Sequence, residues 1–349
     1  MQENLDSREI RHRLTAMHAQ NRHLRLRDAA LLLGTPEAGV IASFCGASVV
    51  RLRPAWKEIL EALPALGSVM ALTRNEHAVI EKKGPFEKVE IQGHAGLVLG
   101  EAIDLRLFLG SWASGFGVHE DSDVGLQRSV QFFDETGTAV HKVFLTEDSS
   151  ASALDDLMSR FAAADQAPRQ SFAAEKKREP ERADGDVDLD GLRRGWGEMR
   201  DTHDFIFLLR RFAVTRTQAL RLAGREWAEK VEVSSLRSVL ETAAATDLPI
   251  MVFVGNRGAI EIHTGPVANV RSVGPWLNVL DPDFNLHMHE PGLASAWVVR
   301  KPTIDGTVTA LEIYDAEGEV VALLFGKRKP GQPELEEWRQ IVAALPRTV

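Results

Sequence analysis

The chain contains a single cysteine, Cys45, among its 349 residues. One thiol excludes an intramolecular disulfide and any zinc or iron–sulfur site built from several thiolates, so we expect Cys45 to be a small buried apolar residue. No apolar run approaches the length that spans a bilayer, and the charged first residues, Met1–Arg13, lack the apolar core of a signal sequence. These absences predict a cytoplasmic protein.

Sequence motifs of two large classes of enzyme are also missing. The chain has no glycine-rich loop of the kinds that hold nucleotide phosphates, and no recognisable arrangement of a serine or cysteine nucleophile with its histidine. Acidic residues outnumber basic ones, 50 to 41, and the formal net charge is −9. An acidic chain is a poor candidate for coating nucleic acid or an anionic membrane. Nucleotide-dependent enzymes, hydrolases and polyanion-coating proteins are therefore disfavoured.

The main positive feature is an internal duplication. Val69–Gly137 reappears as Ile250–Gly318 at a constant offset of 181 with almost no gaps. The matches are of kinds that are costly to replace, such as Met70 with Met251, Asn75 with Asn256, and Gly84-Pro85 with Gly265-Pro266. Because the offset is unbroken across turns as well as strands, both copies must have equal loop lengths and hence the same sub-fold. At 349 residues the chain is long enough for two such cores.

Composition and periodicity divide the chain into two repeats and a linker. Residues 164–190 are rich in Ala, Glu, Lys, Arg, Asp and Pro. They are predicted to form a solvated linker between an N-terminal repeat, 1–163, and a C-terminal repeat, 191–349. Each repeat begins with apolar-periodic helices, one of which starts with the capping-box spacing of Thr215 and Gln218. Strand-like runs joined by turns follow, which predicts an α+β fold with antiparallel sheets in each half.

One histidine of the C-terminal repeat has unusual neighbours. A helix is predicted around Gly191–Phe212, and on its polar face Met199, His203 and Phe207 follow one another at i, i+4 and i+8. The imidazole is then either a satisfied or partly exposed histidine, or the axial ligand of a metal inside a large apolar cofactor. The chain has no His-Glu-x-x-His motif, so a bare zinc or non-haem iron site would lack ligands. A lone histidine suits haem, whose porphyrin supplies the other four.

Two further groups of residues have more than one interpretation. His287 and His289 lie on the same face of a predicted strand and could chelate a metal, although exposed strand histidines explain the pattern as well. Arg216, Lys301 and Arg328 fall at the ends of predicted elements. They are either solvated surface charges or the donors that an anionic ligand with two carboxylates would need at the rim of an apolar pocket.

Two hypotheses from other functional classes remain open at this point. Leu26–Ser43 has a glycine turn between two short helices, which is typical of a helix-turn-helix and would indicate a DNA-binding regulator. Its equivalent in the other repeat, Thr215–Gly224, and the acidic net charge count against this hypothesis. A scaffold protein without a ligand is what the duplication alone would permit.

Several stretches of the sequence match one known family. The first-half run VMALTRNEHAVIEKKGPFEKVEIQGHAGLVLGEAIDLRLFLGSWASGFGV resembles the cytoplasmic haem-trafficking and haem-degrading proteins of the HemS/ChuS/PhuS type. So do the later runs DTHDFIFLLRRFAVTRTQALRLAG, GPWLNVLDPDFNLHMHE and LLFGKRKPGQPELEEW. The resemblance covers nearly the whole chain. It implies two structural repeats that form large stacked antiparallel sheets flanked by helices, with haem held between the C-terminal sheet and helices.

The resemblance also implies roles for individual residues. His203, in the motif DTHDF, would be the proximal iron ligand, and Arg106, in DLRLF, would be the distal arginine with Phe108 beside it. The residues implied for the apolar wall and for the contacts with the propionates are, respectively, Met251 and Phe253, and Arg216, Lys301 and Arg328.

A protein of this family would bind haem in the cytoplasm after its uptake, as part of iron acquisition. It would deliver the haem to an acceptor, degrade it oxidatively to release iron, or do both. Oxidative degradation would need an external reductant, because the chain carries no flavin or nicotinamide motif. A haem oxygenase or a membrane haem importer would be its expected partner. The implied ligand set is compatible with a carrier and with an enzyme.

Overall fold

The computed structural model describes residues 6–122, 125–176, 178, 180–328 and 331–348. Within these ranges the predicted α+β architecture is confirmed, because helices accompany two antiparallel sheets of nine strands each. None of the helices in these ranges is long and apolar enough to cross a membrane.

Each half of the chain contributes its own helices and strands. In the first half these are α1 (Ser7–Gln20), α2 (Leu26–Leu33), α3 (Glu37–Ala42), β1 (Val49–Leu52), α4 (Trp56–Ala62), β2 (Gly67–Arg74), β3 (Ala78–Pro85), β4 (Lys88–Gln92), β5 (Ala95–Leu99), β6 (Asp104–Phe108), β7 (Ser114–Ser122), β8 (Gly125–Phe133), β9 (Ala139–Ser149) and α5 (Ala151–Phe161). In the second half they are α6 (Leu189–Gly197), α7 (Asp204–Phe212), α8 (Arg216–Ala223), β10 (Ala228–Val231), α9 (Ser235–Thr246), β11 (Ile250–Gly255), β12 (Ala259–Gly265), β13 (Val270–Val273), β14 (Trp276–Leu280), β15 (Phe284–His289), β16 (Ser295–Thr303), β17 (Gly306–Tyr314), β18 (Val320–Gly326) and α10 (Glu336–Ala343).

The strand orders of the two sheets are related by the duplication. One order is β1-β7-β8-β9-β2-β3-β15-β14-β13, and the other is β10-β16-β17-β18-β11-β12-β6-β5-β4. The second follows from the first when every strand is replaced by its counterpart in the other half. The correspondence extends to irregularities, since β8 and β9 have a register shift at Phe132/Phe133 and β17 and β18 have one at Ile313/Tyr314.

Two asparagines show why the repeats share their turns. Asn256 donates through Nδ2 to the carbonyl oxygens of Arg74 and Val140, at 2.8 Å each, and its Oδ1 accepts two backbone N–H groups. Asn75 makes the corresponding set of bonds at the offset of 181. The position requires a side chain with two donors and an acceptor, which the Asn amide supplies.

Contacts between Cα atoms divide the chain into two compact units, each of which takes in a short piece of the opposite half. The first unit comprises Met1–Arg74, Glu81–Lys176 and Asn256–Glu261. The second comprises Asn75–Ile80, Lys177–Gly255 and Ile262–Val349. Each unit has its own apolar core, and the borrowed piece is part of it: Ala259 is buried in the first core, and Ala78 and Ile80 are buried in the second.

The segment predicted as a linker makes side-chain contacts within each unit. In the first unit, the amide of Gln166 bonds to the backbone N–H and C=O of Arg51, at 2.9 Å each. In the second, Gln218 Nε2 donates to Asp184 at 2.8 Å. The capping box is therefore only half formed: Thr215 Oγ1 accepts the backbone N–H of Gln218 at 3.1 Å, but the Gln218 side chain binds the linker segment.

Candidate functional site

The segment that carries His203 is a turn between two helices. The single helix predicted over Gly191–Phe212 is wrong, because α6 ends before the turn and α7 begins after it. Asp204 Oδ2 accepts the backbone N–H groups of Arg200 and Asp201 at 2.9 and 3.0 Å. Short acidic side chains that bind the backbone in this way compete with helical hydrogen bonds. Apolar periodicity does not reveal this competition.

The break changes the surroundings of the imidazole. Met199 lies in the turn and is buried, so Met199, His203 and Phe207 do not share one helical face, and that prediction is wrong. His203 occupies the N-cap position of α7. Its side chain is 85% exposed, which leaves it accessible to a ligand.

Asp201 determines which nitrogen of the imidazole carries the hydrogen. Its Oδ1 lies 2.5 Å from His203 Nδ1 and accepts the backbone N–H of His203 at 2.8 Å. That backbone hydrogen bond is the main reason why the pKa of Asp201 lies below its usual value. The ionised carboxylate can only accept, so Nδ1 donates and the lone pair of the neutral imidazole is on Nε2. A carboxylate in this position orients a histidine ligand and makes it more basic.

Large apolar side chains are exposed in the same part of the second unit. Ile206 and Phe207 of α7 are 48% and 65% exposed, and Ile304, in the turn between β16 and β17, is 73% exposed. The backbone N–H of Ile304 donates to the carbonyl of Arg200 at 3.0 Å, which places the hairpin tip beside the His203 turn. Exposed apolar residues grouped in this way are typical of a ligand-binding or partner-binding surface.

A buried group of charges, which we call the ionic cluster, lies in the same unit. Glu312 of β17 has no exposed surface. It accepts hydrogen bonds from Arg216 Nε and Nη2 at 2.9 and 2.8 Å, from Lys301 Nζ at 2.7 Å and from the Tyr314 hydroxyl. Burial alone would raise the pKa of Glu312, but the two cations outweigh it and hold this pKa well below its usual value. Burial lowers the pKa of Lys301 to about 8, against the attraction of Glu312.

The cations of the ionic cluster also contact an aromatic ring of α7. Lys301 Nζ lies 4.4 Å from the centroid of the Phe205 ring, and Arg216 Cζ lies 5.1 Å from it. Trp196 of α6 packs edge-on against the same ring, with the centroids 4.8 Å apart. Cations near an aromatic face are attracted by its quadrupole. Phe205, two residues after His203, is therefore fixed by both charge and packing.

The three cations implied for the propionates differ in their acidic partners. The side chain of Lys301 is 5% exposed and that of Arg216 is 22% exposed, and both are paired with Glu312. Arg328 lies outside the ionic cluster; its side chain is 20% exposed, and its Nη2 lies 3.6 Å from Asp305 Oδ2. Its charge contributes to the lowered pKa of Asp201, so it is near the His203 turn. The structure thus brings Arg216 and Lys301 together in the ionic cluster, whereas Arg328 pairs with Asp305.

Met251 and Phe253 lie on one face of β11. Both are partly buried and alternate with buried residues along the strand. The Phe253 ring packs edge-on against that of Phe325, with the centroids 5.2 Å apart, and Met251 is opposite Phe325 in the strand register. These side chains form an apolar patch on β11 and β18 of the second unit.

Arg106 and Phe108 belong to the first unit. Arg106 of β6 forms an ion pair with Asp104 and donates to the carbonyl of Leu105 at 3.2 Å. Its side chain is 36% exposed. Phe108 ends the strand and is exposed.

The two strand histidines have side-chain partners in the described part of the chain. His287 Nδ1 lies 2.6 Å from Asn278 Oδ1. The His289 ring packs on Trp276, with the centroids 4.9 Å apart, and stacks with His77 at 6.0 Å. Among the described residues, no group of three or more His, Cys, Asp or Glu side chains is arranged to hold a metal ion. These contacts account for both histidines without a metal.

The helix-turn-helix hypothesis fails on the burial of its second helix. The two predicted helices form as α2 and α3, with Gly34 between them in the left-handed conformation that favours glycine. In α3, however, Glu37, Ala38 and Val40 to Ala42 are all buried. Glu37 is paired with Lys142. A recognition helix must expose side chains to the bases, so α3 cannot serve as one in this conformation.

Asp201 and Glu312 were not among the predicted site residues. An acidic residue two positions before a candidate histidine ligand is a usable signal, because histidine ligands are usually oriented by an outer carboxylate or carbonyl. Glu312 lies in the strand run TALEIY, in which the residues directly before and after it are apolar. A charge in such a strand must be paired when it is buried, so the run itself indicates an ion pair.

The donor set of the His203 turn fits haem better than a bare metal ion. One histidine with a free Nε2 gives a single strong bond, and the exposed apolar side chains beside it can cover a flat apolar ligand. A bare ion would require further protein ligands, and none are grouped for that purpose among the described residues.

Comparison with known proteins gives a consistent result. A family model described as the haemin-degrading HemS/ChuX domain matches residues 34–161 and 213–345. The hemin transport protein HmuS of Yersinia pestis is 41% identical over 322 residues, which cover 91% of this chain and 92% of the relative. Each family match contains one of the two duplicated segments, and the His203 turn precedes the second match.

Two solved structures share the whole fold. Holo-PhuS, a heme-binding protein from Pseudomonas aeruginosa, is 46% identical, with a TM-score of 0.96 over 99% of this chain and 100% of that chain. ChuS, an E. coli heme oxygenase, is 38% identical, with a TM-score of 0.84 over 91% of this chain and 95% of that chain.

Proposed function

Because the chain belongs to the haemin-degrading HemS/ChuX family, we propose that it binds haem in the cytoplasm after uptake and delivers it to an acceptor. The observation that carries this proposal is the exposed imidazole of His203, whose Nδ1 donates to Asp201. In this arrangement Nε2 is the ring nitrogen that would bind an iron atom. The names of the relatives, a hemin transport protein and a heme-binding protein, agree with it.

Each part of the proposed ligand has a counterpart in the second unit. Haem would supply four in-plane nitrogen ligands, an apolar face and two carboxylates. His203 Nε2 would bind the iron, and the exposed Ile206 and Phe207 would cover part of the apolar face. Arg328 and the accessible edge of Arg216 are the proposed donors to the carboxylates. Met251 and Phe253 are proposed to form the apolar wall.

Oxidative degradation of haem is the second candidate function. It is favoured by the similarity to ChuS, which is described as a heme oxygenase. In this case Arg106, with Phe108 beside it, would lie on the distal side and donate a hydrogen bond there. Asp104 holds one end of the Arg106 guanidinium and thereby orients its remaining N–H groups. Electrons would come from an external reductant, and a haem oxygenase or a membrane haem importer is the proposed partner class.

A titration with haem tests the proposed function. Wild type should show a saturable one-to-one Soret band, and His203→Ala should lose the histidine-ligated spectrum and most of the affinity. His23→Ala is the matched control, because His23 is an exposed histidine of the first unit, and it should behave as wild type. An unchanged Soret band in His203→Ala would overturn the assignment of the ligand.

Ascorbate added under air with catalase then separates the two candidate functions. A Soret band that persists with ascorbate, but passes to apomyoglobin when that acceptor is added, would support a carrier. Decay of the band to a verdohaem-like or bilin-like spectrum would support degradation, and Arg106→Ala should slow that decay.

A further inference from the structure

We infer that Glu312 is a positioning residue for the haem ligand: by holding Arg216 and Lys301 against the Phe205 ring, it fixes the start of α7 and so the place where His203 presents its imidazole. The inference rests on the proposed function in one respect, which is that His203 binds the iron. The contacts that carry it are all within the second unit.

The first step is that Glu312 holds both cations. Its carboxylate has no exposed surface and accepts from two nitrogens of Arg216 and from Lys301, at 2.7 to 2.9 Å. Both oxygens are used, one by Arg216 Nε and the other by Arg216 Nη2 and Lys301 Nζ. Without the negative charge, two cations would be left close together in a buried site, which is strongly unfavourable. Removal of this charge should therefore displace at least one of them.

The second step connects the cations to α7. Phe205 is buried, and it lies in the first turn of a helix whose N-cap residue is His203. Lys301 Nζ is 4.4 Å and Arg216 Cζ 5.1 Å from the centre of its ring. Displacement of either cation removes a contact with the residue that anchors this turn. The position of His203 should respond, because it is two residues away along the same backbone.

The third step assigns different roles to the two cations. Lys301 is almost completely buried and acts through Phe205. Arg216 is partly exposed, and its Nε and Nη2 are occupied by Glu312. Across the described residues, Arg216 Nη1 has no protein hydrogen bond. Glu312 therefore also orients Arg216 so that one edge of its guanidinium remains for an anionic group of the ligand.

The first half of the chain shows which residue occupies the position equivalent to Glu312 when no ligand histidine is nearby. At the offset of 181, Glu312 corresponds to Gln131 and Lys301 to Glu120. Gln131 is also buried, but its amide donates to Ser129 Oγ at 2.9 Å. The strand position thus accepts a neutral amide of the same shape. The negative charge of Glu312 belongs to the half of the chain that contains His203.

Glu312→Gln tests the inference, because it introduces the side chain that the first half has at this position. Glu37→Gln is the matched control: Glu37 forms a buried ion pair with Lys142 in the first unit. Both variants should lose stability in thermal unfolding. Only Glu312→Gln should increase the amide hydrogen exchange of α7 in the haem-free protein, by about tenfold, because it weakens the charged hydrogen bonds that hold Arg216 and Lys301 against the Phe205 ring of this helix.

The haem-bound variants provide the readout at the ligand. In Glu312→Gln the resonance Raman frequency of the iron–histidine stretch should shift and the rate of haem loss to apomyoglobin should rise, whereas both should stay at wild-type values in Glu37→Gln. Restoration of the wild-type frequency by Glu312→Asp would identify the charge as the cause. Equal α7 exchange in Glu312→Gln and wild type would overturn the positioning role. Absence of a Soret band in wild type would instead overturn the proposed function and, with it, the role of Glu312 at the iron.

Discussion

Removal of the Asp201 carboxylate tests how the protein prepares His203 to bind iron. In Asp201→Ala, the imidazole loses the partner that lies 2.5 Å from its Nδ1. Nδ1 and Nε2 would then compete for the hydrogen, and the ring could rotate. Loss of an outer carboxylate typically reduces metal affinity by about 10- to 100-fold. Because the two side chains are 63% and 85% exposed, water screens their interaction, and we expect the lower end, about tenfold.

The assay needs a control for the backbone, since Asp201 also accepts the N–H of His203. Asp204→Ala is suited to this purpose: it removes two backbone hydrogen bonds from the same turn and leaves the Asp201–His203 side-chain contact intact. Competition titration with haem should show a weaker complex for Asp201→Ala, and the iron–histidine stretch should fall in frequency because the imidazole becomes less basic. Wild-type affinity and frequency in Asp201→Ala would refute the reasoning. If the two variants had equal effects, the cause would be disruption of the turn and not loss of the Asp201 carboxylate.

Two further predictions concern the first unit. Arg106→Ala should change the absorbance bands that report the distal ligand more than it changes haem affinity, since Arg106 is proposed to make no bond to the iron; an unchanged spectrum would remove Arg106 from the pocket. Glu261 has no exposed surface, and burial raises its pKa from 4.5 to about 8. Between these pH values the Glu261 carboxyl group keeps its proton in the folded protein and loses it in the unfolded chain. The contribution of Glu261 to the free energy of unfolding is therefore fully present below pH 4.5. It should fall by up to about 5 kcal/mol as the pH rises to 8. Urea unfolding should show this slope in wild type and a flatter profile in Glu261→Gln, and identical profiles would contradict the assignment.

The duplication made much of the fold predictable because the repeated residues have definite physical tasks. Asn75 and Asn256 close equivalent turns with equivalent hydrogen bonds. Gly137 and Gly318, both with positive φ, end equivalent hairpin turns. The strand order was not predictable in the same way, because a repeated strand could pair within its own half or with the other half. The local sequence is compatible with both.

The details of the site were harder to predict because they depend on side chains that bind distant or backbone groups. The spacing of Met199, His203 and Phe207 suggested one helical face, but Asp204 interrupts the helix between the first two of them. Arg216 was identified as a cation near the site, but its partner Glu312 is 96 positions later in the chain. Spacing along a helix contains no information about such a partner. The position of Glu312 in an apolar strand indicates that its charge is paired, but it does not identify Arg216 as the partner.

The exposed surface beside His203 favours delivery of haem over its degradation. Full burial of an exposed isoleucine or phenylalanine contributes about 1.5–3 kcal/mol. Ile206, Phe207 and Ile304 are 48%, 65% and 73% exposed, so covering all three would contribute about 3–6 kcal/mol, or roughly 10²- to 10⁴-fold in affinity. An axial bond and a surface of this size would hold haem without enclosing it in a cavity. A carrier requires this combination, because its acceptor must be able to reach the ligand before the carrier has released it.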